Sequence, residues 1–204
     1  MGSGVRWLAD SPWYFSVTFV RGVSAEELGA RLGADRAAPV VQSTARAIEG
    51  RLIDPNVGIA QLGAANGWAF AAEYGEACGP RHRVLAELSR GGGEAVNLDP
   101  QADHPPPMFS YAADGELSCS FGLGEEGRRW GSSPDLLNAA LESAGVLSAD
   151  GSVLVAGSGR RAQRVSMSLG VVERYFGLSL PRGLVEEAEL PTVVVTGHSY
   201  GRVI

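Results

Sequence analysis

Two dipeptides limit what this chain can fold into more than any other feature. Asn66-Gly67 separates Gly58-Ile59-Ala60-Gln61-Leu62 from Trp68-Ala69-Phe70-Ala71-Ala72-Glu73-Tyr74, and Asp114-Gly115 separates Met108-Phe109-Ser110-Tyr111 from Glu116-Leu117-Ser118-Cys119-Ser120-Phe121. A two-residue type I′ turn needs positive φ at both central positions, which Asn, Asp and Gly tolerate, so either dipeptide between apolar runs predicts a hairpin. Two hairpins commit the middle of the chain to antiparallel pairing. Glu94 to Leu98 reads as a strand preceding the second hairpin, and Pro105-Pro106-Pro107 holds the link ahead of it extended and without backbone donors.

The first strong element is Trp13 to Val20, where Phe15, Val17 and Phe19 alternate with Ser16 and Thr18 in the period-2 pattern of a strand. Ser24 with Glu27 three residues on is a capping box, opening a helix over Ala25 to Leu32 that Gly33 closes. Arg36 to Asn56 is a polar, Ala-rich excursion with room for a short helix near Gln42 to Glu49. Val84, Leu85 and Leu88 place one buried face on a helix over Arg81 to Ser89, stopped by Gly91-Gly92-Gly93. After Phe121 an acidic glycine loop, Gly122 to Gly127, leads to Ser132-Ser133-Pro134-Asp135, which caps a helix from Leu136 to Ser143. A second helix over Arg161 to Phe176 follows from Val165, Leu169, Val172 and Phe176, with Gly177 at its end. Strands followed by helices point to an α+β fold. The expectation is a single domain over 1–204, sheet-rich at 13–122 and helix-rich at 133–204, with an antiparallel meander sheet, flanking helices and a mainly helical C-terminal part.

Charge and cysteine content narrow the function. The net charge is −6, which opposes the basic face that general nucleic-acid binding requires. Arg160, Arg161 and Arg164 lack interleaved aromatics and read as a solvated helix face. Cys78 and Cys119 form neither a zinc pattern nor a disulfide framework. With no signal-peptide pattern and no apolar run of membrane-spanning length, the expected location is cytoplasmic, with no membrane partner. All 17 basic residues are arginine. That bias belongs to a GC-rich genome, and an actinobacterial source follows from it.

Gly197-His198-Ser199-Tyr200-Gly201 fits G-x-S-x-G, the nucleophile elbow of serine hydrolases. The elbow needs a strand before the serine and a helix, an acid and a histidine after it. Val193 to Val195 supply the strand, but only three residues follow Gly201. Val153 to Arg161 resembles a strand feeding a phosphate-cradling glycine loop, yet Gly157-Ser158-Gly159 lacks the third glycine of a dinucleotide fingerprint and the Gly-Lys-Ser/Thr of a P-loop. It reads as an ordinary loop. His82, His104 and His198 are too scattered for a metal pair, so neither a metal nor a cofactor is assigned.

Several strings resemble an actinobacterial domain family of unknown function: Val17-Thr18-Phe19-Val20-Arg21-Gly22, Leu32-Gly33-Ala34-Asp35, Phe109-Ser110-Tyr111, Asp114-Gly115-Glu116 and Arg129-Trp130-Gly131 with Pro134-Asp135. The resemblance covers most of the chain outside Arg36 to Asn56 and the last eight residues. It implies a cytoplasmic bacterial domain and supplies no catalytic residue.

What these residues add up to is a non-enzymatic binding or protein-interaction module, of the accessory or immunity-partner kind, taking a protein or small molecule. Arg21, Arg129 and Trp130 are its interaction candidates, since Trp and Arg concentrate binding energy at interfaces. Trp13 and Trp68, on predicted strands, are expected in the core. The alternative is a small hydrolase assembled from Ser199, His104 and Asp103.

Overall fold

The computed structural model describes residues 4–10, 14–34, 40–49, 58–100, 105–153 and 161–195. Among these residues nine strands form one sheet: β1 (Ser16–Arg21), β2 (Val41–Ser43), β3 (Gly58–Ala65), β4 (Trp68–Gly75), β5 (Glu94–Asp99), β6 (Met108–Ala113), β7 (Glu116–Gly122), β8 (Arg129–Trp130) and β9 (Leu190–Val195). Their order is β2-β9-β3-β4-β1-β5-β6-β7-β8, and every pairing is antiparallel. Both predicted hairpins are present. Asn66 and Gly67 take φ of 50° and 80°, Asp114 and Gly115 of 49° and 87°, the positive values a type I′ turn demands.

Among the described residues six helices accompany the sheet: α1 (Ala25–Arg31), α2 (Ala45–Glu49), α3 (His82–Leu88), α4 (Asn138–Ser143), α5 (Arg161–Phe176) and α6 (Arg182–Glu186), with a 3-10 turn at Arg6–Asp10. Strand alternation decides which helix packs where. On β4, Trp68, Phe70, Ala72 and Tyr74 face a large core that takes in Leu141, Leu169, Val172, Phe176 and Val185 from α4, α5 and α6. Ala69 and Ala71 face the other way, into a smaller core completed by Leu28 of α1 and Val84, Leu85 and Leu88 of α3. Small residues on that side let α1 approach closely: a Cβ placed on Gly29 would lie 2.6 Å from Leu62 Cδ1. The cap of α1 is as expected, with the Ser24 hydroxyl accepting from the Glu27 amide.

Three features depart from the sequence reading. The sheet is not a simple meander, because β1 sits between β4 and β5, with the β3–β4 hairpin on one flank and the β5 to β8 run on the other. Buried on both faces, β1 needs a partner along each edge to satisfy its backbone groups. The expected short helix near Gln42 to Glu49 is present as α2 but starts at Ala45, because Val41–Ser43 pair with β9 as β2. The C-terminal part is only partly helical: after α6 the chain returns to the sheet as β9, between β2 and β3. Its Val193-Val194-Val195 run has the β-branched composition that a pleated surface favours.

Candidate functional site

At one end of the sheet, Arg21 and Trp68 are register partners across β1 and β4. The Arg21 guanidinium lies over the Trp68 ring, 4.4 Å from its centroid. It donates to Glu94 Oε2 at 2.6 Å and to the Phe176 carbonyl at 3.1 Å. The same carbonyl accepts from Trp68 Nε1 at 3.1 Å, and Asn66 Nδ2 donates to the Gly177 carbonyl at 2.6 Å. These groups satisfy carbonyls left open at the C-terminus of α5, where the helix dipole favours a cation. Glu94 in turn accepts from the Tyr111 hydroxyl at 3.0 Å. Burial, then this hydrogen bond and the Glu94 charge, push Tyr111 up to about 12.

Beside this cluster lies a cleft of about 390 Å³, lined by Arg21, Gly22, Val23, Arg31, Leu88, Arg90, Gly91, Gly92, Gly93 and Glu94. Its walls come from the end of β1, the last turn of α1, the exit of α3 and the start of β5. Gly22, Gly91 and Gly92 have φ of 82°, 77° and 77°, and a Cβ on any of them would meet nothing within 4 Å. Backbone conformation rather than crowding therefore selects glycine there, and it leaves bare peptide at the cleft. Sequence reasoning assigns Gly91-Gly92-Gly93 only a helix stop and misses Arg31 and Arg90, because nothing local shows that the ends of α1 and α3 reach one cleft.

The model of one protein family matches residues 6–199. The chain belongs to DUF6461, a family of unknown function. No curated protein and no solved structure matches it. The match runs through 36–56, the stretch that the resembling strings leave out.

In this DUF6461 chain the sequence-named residues fall into separate places. Arg21 borders the cleft, whereas Arg129 and Trp130 form β8, four strand spacings of about 4.8 Å away. The Arg129 side chain is only 12% exposed. It donates to the Glu126 carbonyl and, at 3.2 Å, to Asp135 Oδ1, fastening the acidic loop to the approach to α4. The Glu126 carboxylate is buried and accepts from the Gly124 amide and the Ser168 hydroxyl of α5. Trp130 is 40% exposed, with its ring 6.2 Å from that of His82. Trp68 is core, at 1% exposure, while Trp13 lies outside the described residues. Asp103, His104 and Ser199 also lie outside them, as do 154–160 of the glycine loop. Cys78 and Cys119 are buried free thiols, both raised to about 11 by burial. Among the described residues no group of His, Cys, Asp or Glu could hold a metal ion, and no helix is long and apolar enough to cross a membrane.

Sequence reasoning also missed Glu73, a fully enclosed carboxylate on the smaller-core side of β4. It accepts from the Thr18 hydroxyl at 2.9 Å and the Cys78 amide at 2.7 Å, and from the Gly79 amide at 3.2 Å. Asn97 continues the row, donating to Thr18 Oγ1 at 3.0 Å and Ser16 Oγ at 2.9 Å. The pattern Ser16-x-Thr18 opposite Asn97 and Glu73 was legible only once β1 had been placed between β4 and β5.

Proposed function

We propose that this protein is a non-enzymatic binding module whose ligand occupies the Arg21 cleft. The observation that carries this reading is the make-up of the lining: three arginines, four glycines and two apolar residues, with one glutamate whose carboxylate is already engaged by Arg21 and Tyr111. Such a surface offers donors and shape for recognition, and its volume falls within the range of about 300–1,000 Å³ common to small-molecule sites. Trp130 supports a second reading, a protein partner docked at the β8 edge, because a half-exposed tryptophan is a typical interface anchor. The hydrolase alternative rests on Asp103, His104 and Ser199, and labelling of Ser199 by a fluorophosphonate probe would favour it.

Val23→Trp tests the cleft by filling it. In a thermal-shift screen of small metabolites, a ligand at about a hundredfold over its Kd adds about 2.7 kcal/mol. For a chain of this size that is a rise of about 5–10 °C in Tm. The expected result is a set of compounds that stabilise the wild type and lose that effect in Val23→Trp, each protein measured against its own unliganded Tm. Compounds that stabilise both equally would place binding elsewhere.

A further inference from the structure

We infer that the cleft takes an oxyanion, a phosphate or carboxylate group of a small metabolite; the inference rests on the reading of this cleft as the ligand site. Among the described residues, three arginines line it against one acid, Glu94. Both Glu94 oxygens are occupied, one by Arg21 and the other by the Tyr111 hydroxyl, so this acid is already matched within the protein. With Arg21 matched by Glu94, a cationic ligand would add its charge to those of Arg31 and Arg90, whereas an anion completes the pairing.

The arginines differ in how they are held. Arg21 is pre-organised by the Trp68 ring, Glu94 and the Phe176 carbonyl, which lowers the ordering cost of any contact it makes. Arg31 gives one of its five N–H groups to Glu27, through Nε at 3.0 Å, from a side chain 36% exposed. Arg90 pairs with Glu87 through one terminal nitrogen at 2.6 Å and is 67% exposed. Neither acid lines the cleft. Exposed pairs of this kind are weak, so a ligand oxyanion that accepts a bidentate pair of charge-assisted bonds can draw these side chains inward. Gly22, Gly91 and Gly92 line the same cleft, and a Cβ on any of them would meet nothing within 4 Å. One donor of that loop is already taken, since the Gly92 amide donates to Asp114 Oδ1 at 3.0 Å, which leaves recognition to the arginines.

The test titrates the full chain with pyrophosphate and, separately, with citrate, following arginine Nε–Hε resonances by NMR and binding by calorimetry. At least one probe should saturate, shifting the Arg31 and Arg90 signals, and Arg31→Gln or Arg90→Gln should weaken it by about tenfold, the usual effect of losing one charge-assisted bond. Saturation by pyrophosphate alone assigns a phosphate ligand, and by citrate alone a polycarboxylate. Absence of saturation with both, or saturation unchanged in both arginine variants, overturns the oxyanion assignment. If Val23→Trp abolishes stabilisation by neutral or cationic compounds only, the cleft stands and the oxyanion class falls; if it abolishes none, both fall.

Discussion

Glu73 shows how much one side chain can hold when it is enclosed among neutral donors. Its described partners are a hydroxyl and two backbone amides, and Gly79 is pressed so close that a Cβ there would lie 2.5 Å from Glu73 Oε1. Burial raises its pKa above the ordinary 4.5, against the pull of these three donors and with a small further push from Asp99. A group that binds its proton more tightly when folded contributes stability that is complete below its unfolded pKa and is lost as pH rises through the folded value. Glu73→Gln abolishes that dependence while keeping one oxygen for the Cys78 and Gly79 amides. Denaturant unfolding of both proteins at about pH 5 and about pH 8 should show the balance moving towards the variant at the higher pH. A difference that stays constant with pH would mean that Glu73 titrates alike in the folded and unfolded chain.

At the scale of elements, β8 contains two residues with opposite roles. Arg129 is structural, joining the acidic loop to Asp135, while Trp130 pairs through its backbone with Ser120 and leaves much of its ring in solvent. Replacing a buried Trp with Ala costs about 3–5 kcal/mol, the expectation for Trp68. Trp130→Ala should cost about 1 kcal/mol, in proportion to the smaller area it buries. Arg129→Ala should cost about 2 kcal/mol, because it strips partners from the Glu126 carbonyl and Asp135. Midpoints of urea unfolding at unchanged m-value measure all three. A loss at Trp130 as large as that at Trp68 would remove it as an interface anchor, whereas a small loss together with failure to retain a bound partner would support that role.

For the whole molecule, continuity of the sheet from β3 to β2 depends on β9. It pairs Gly58 with Val195 and Ser43 with Leu190, so β2 is joined to the sheet through β9. A chain ending at Glu189 should expose the β3 edge and leave β2 without its ladder, and an unpaired edge recruits other chains. Size-exclusion chromatography should show association, and thermal unfolding should lose cooperativity. A monomer that still unfolds in one sharp transition would show the sheet to be complete without β9. What the sequence determined alone was what lies within a few residues: Asn-Gly and Asp-Gly turns need positive φ, Ser24 caps the amide of Glu27, and alternation along β4 separates large from small side chains. Cleft and sheet order were decided by tertiary structure. Whether Arg31 ends beside Arg90, or β1 enters between β4 and β5, depends on burying two sheet faces at once, a long-range balance that no short window of residues contains.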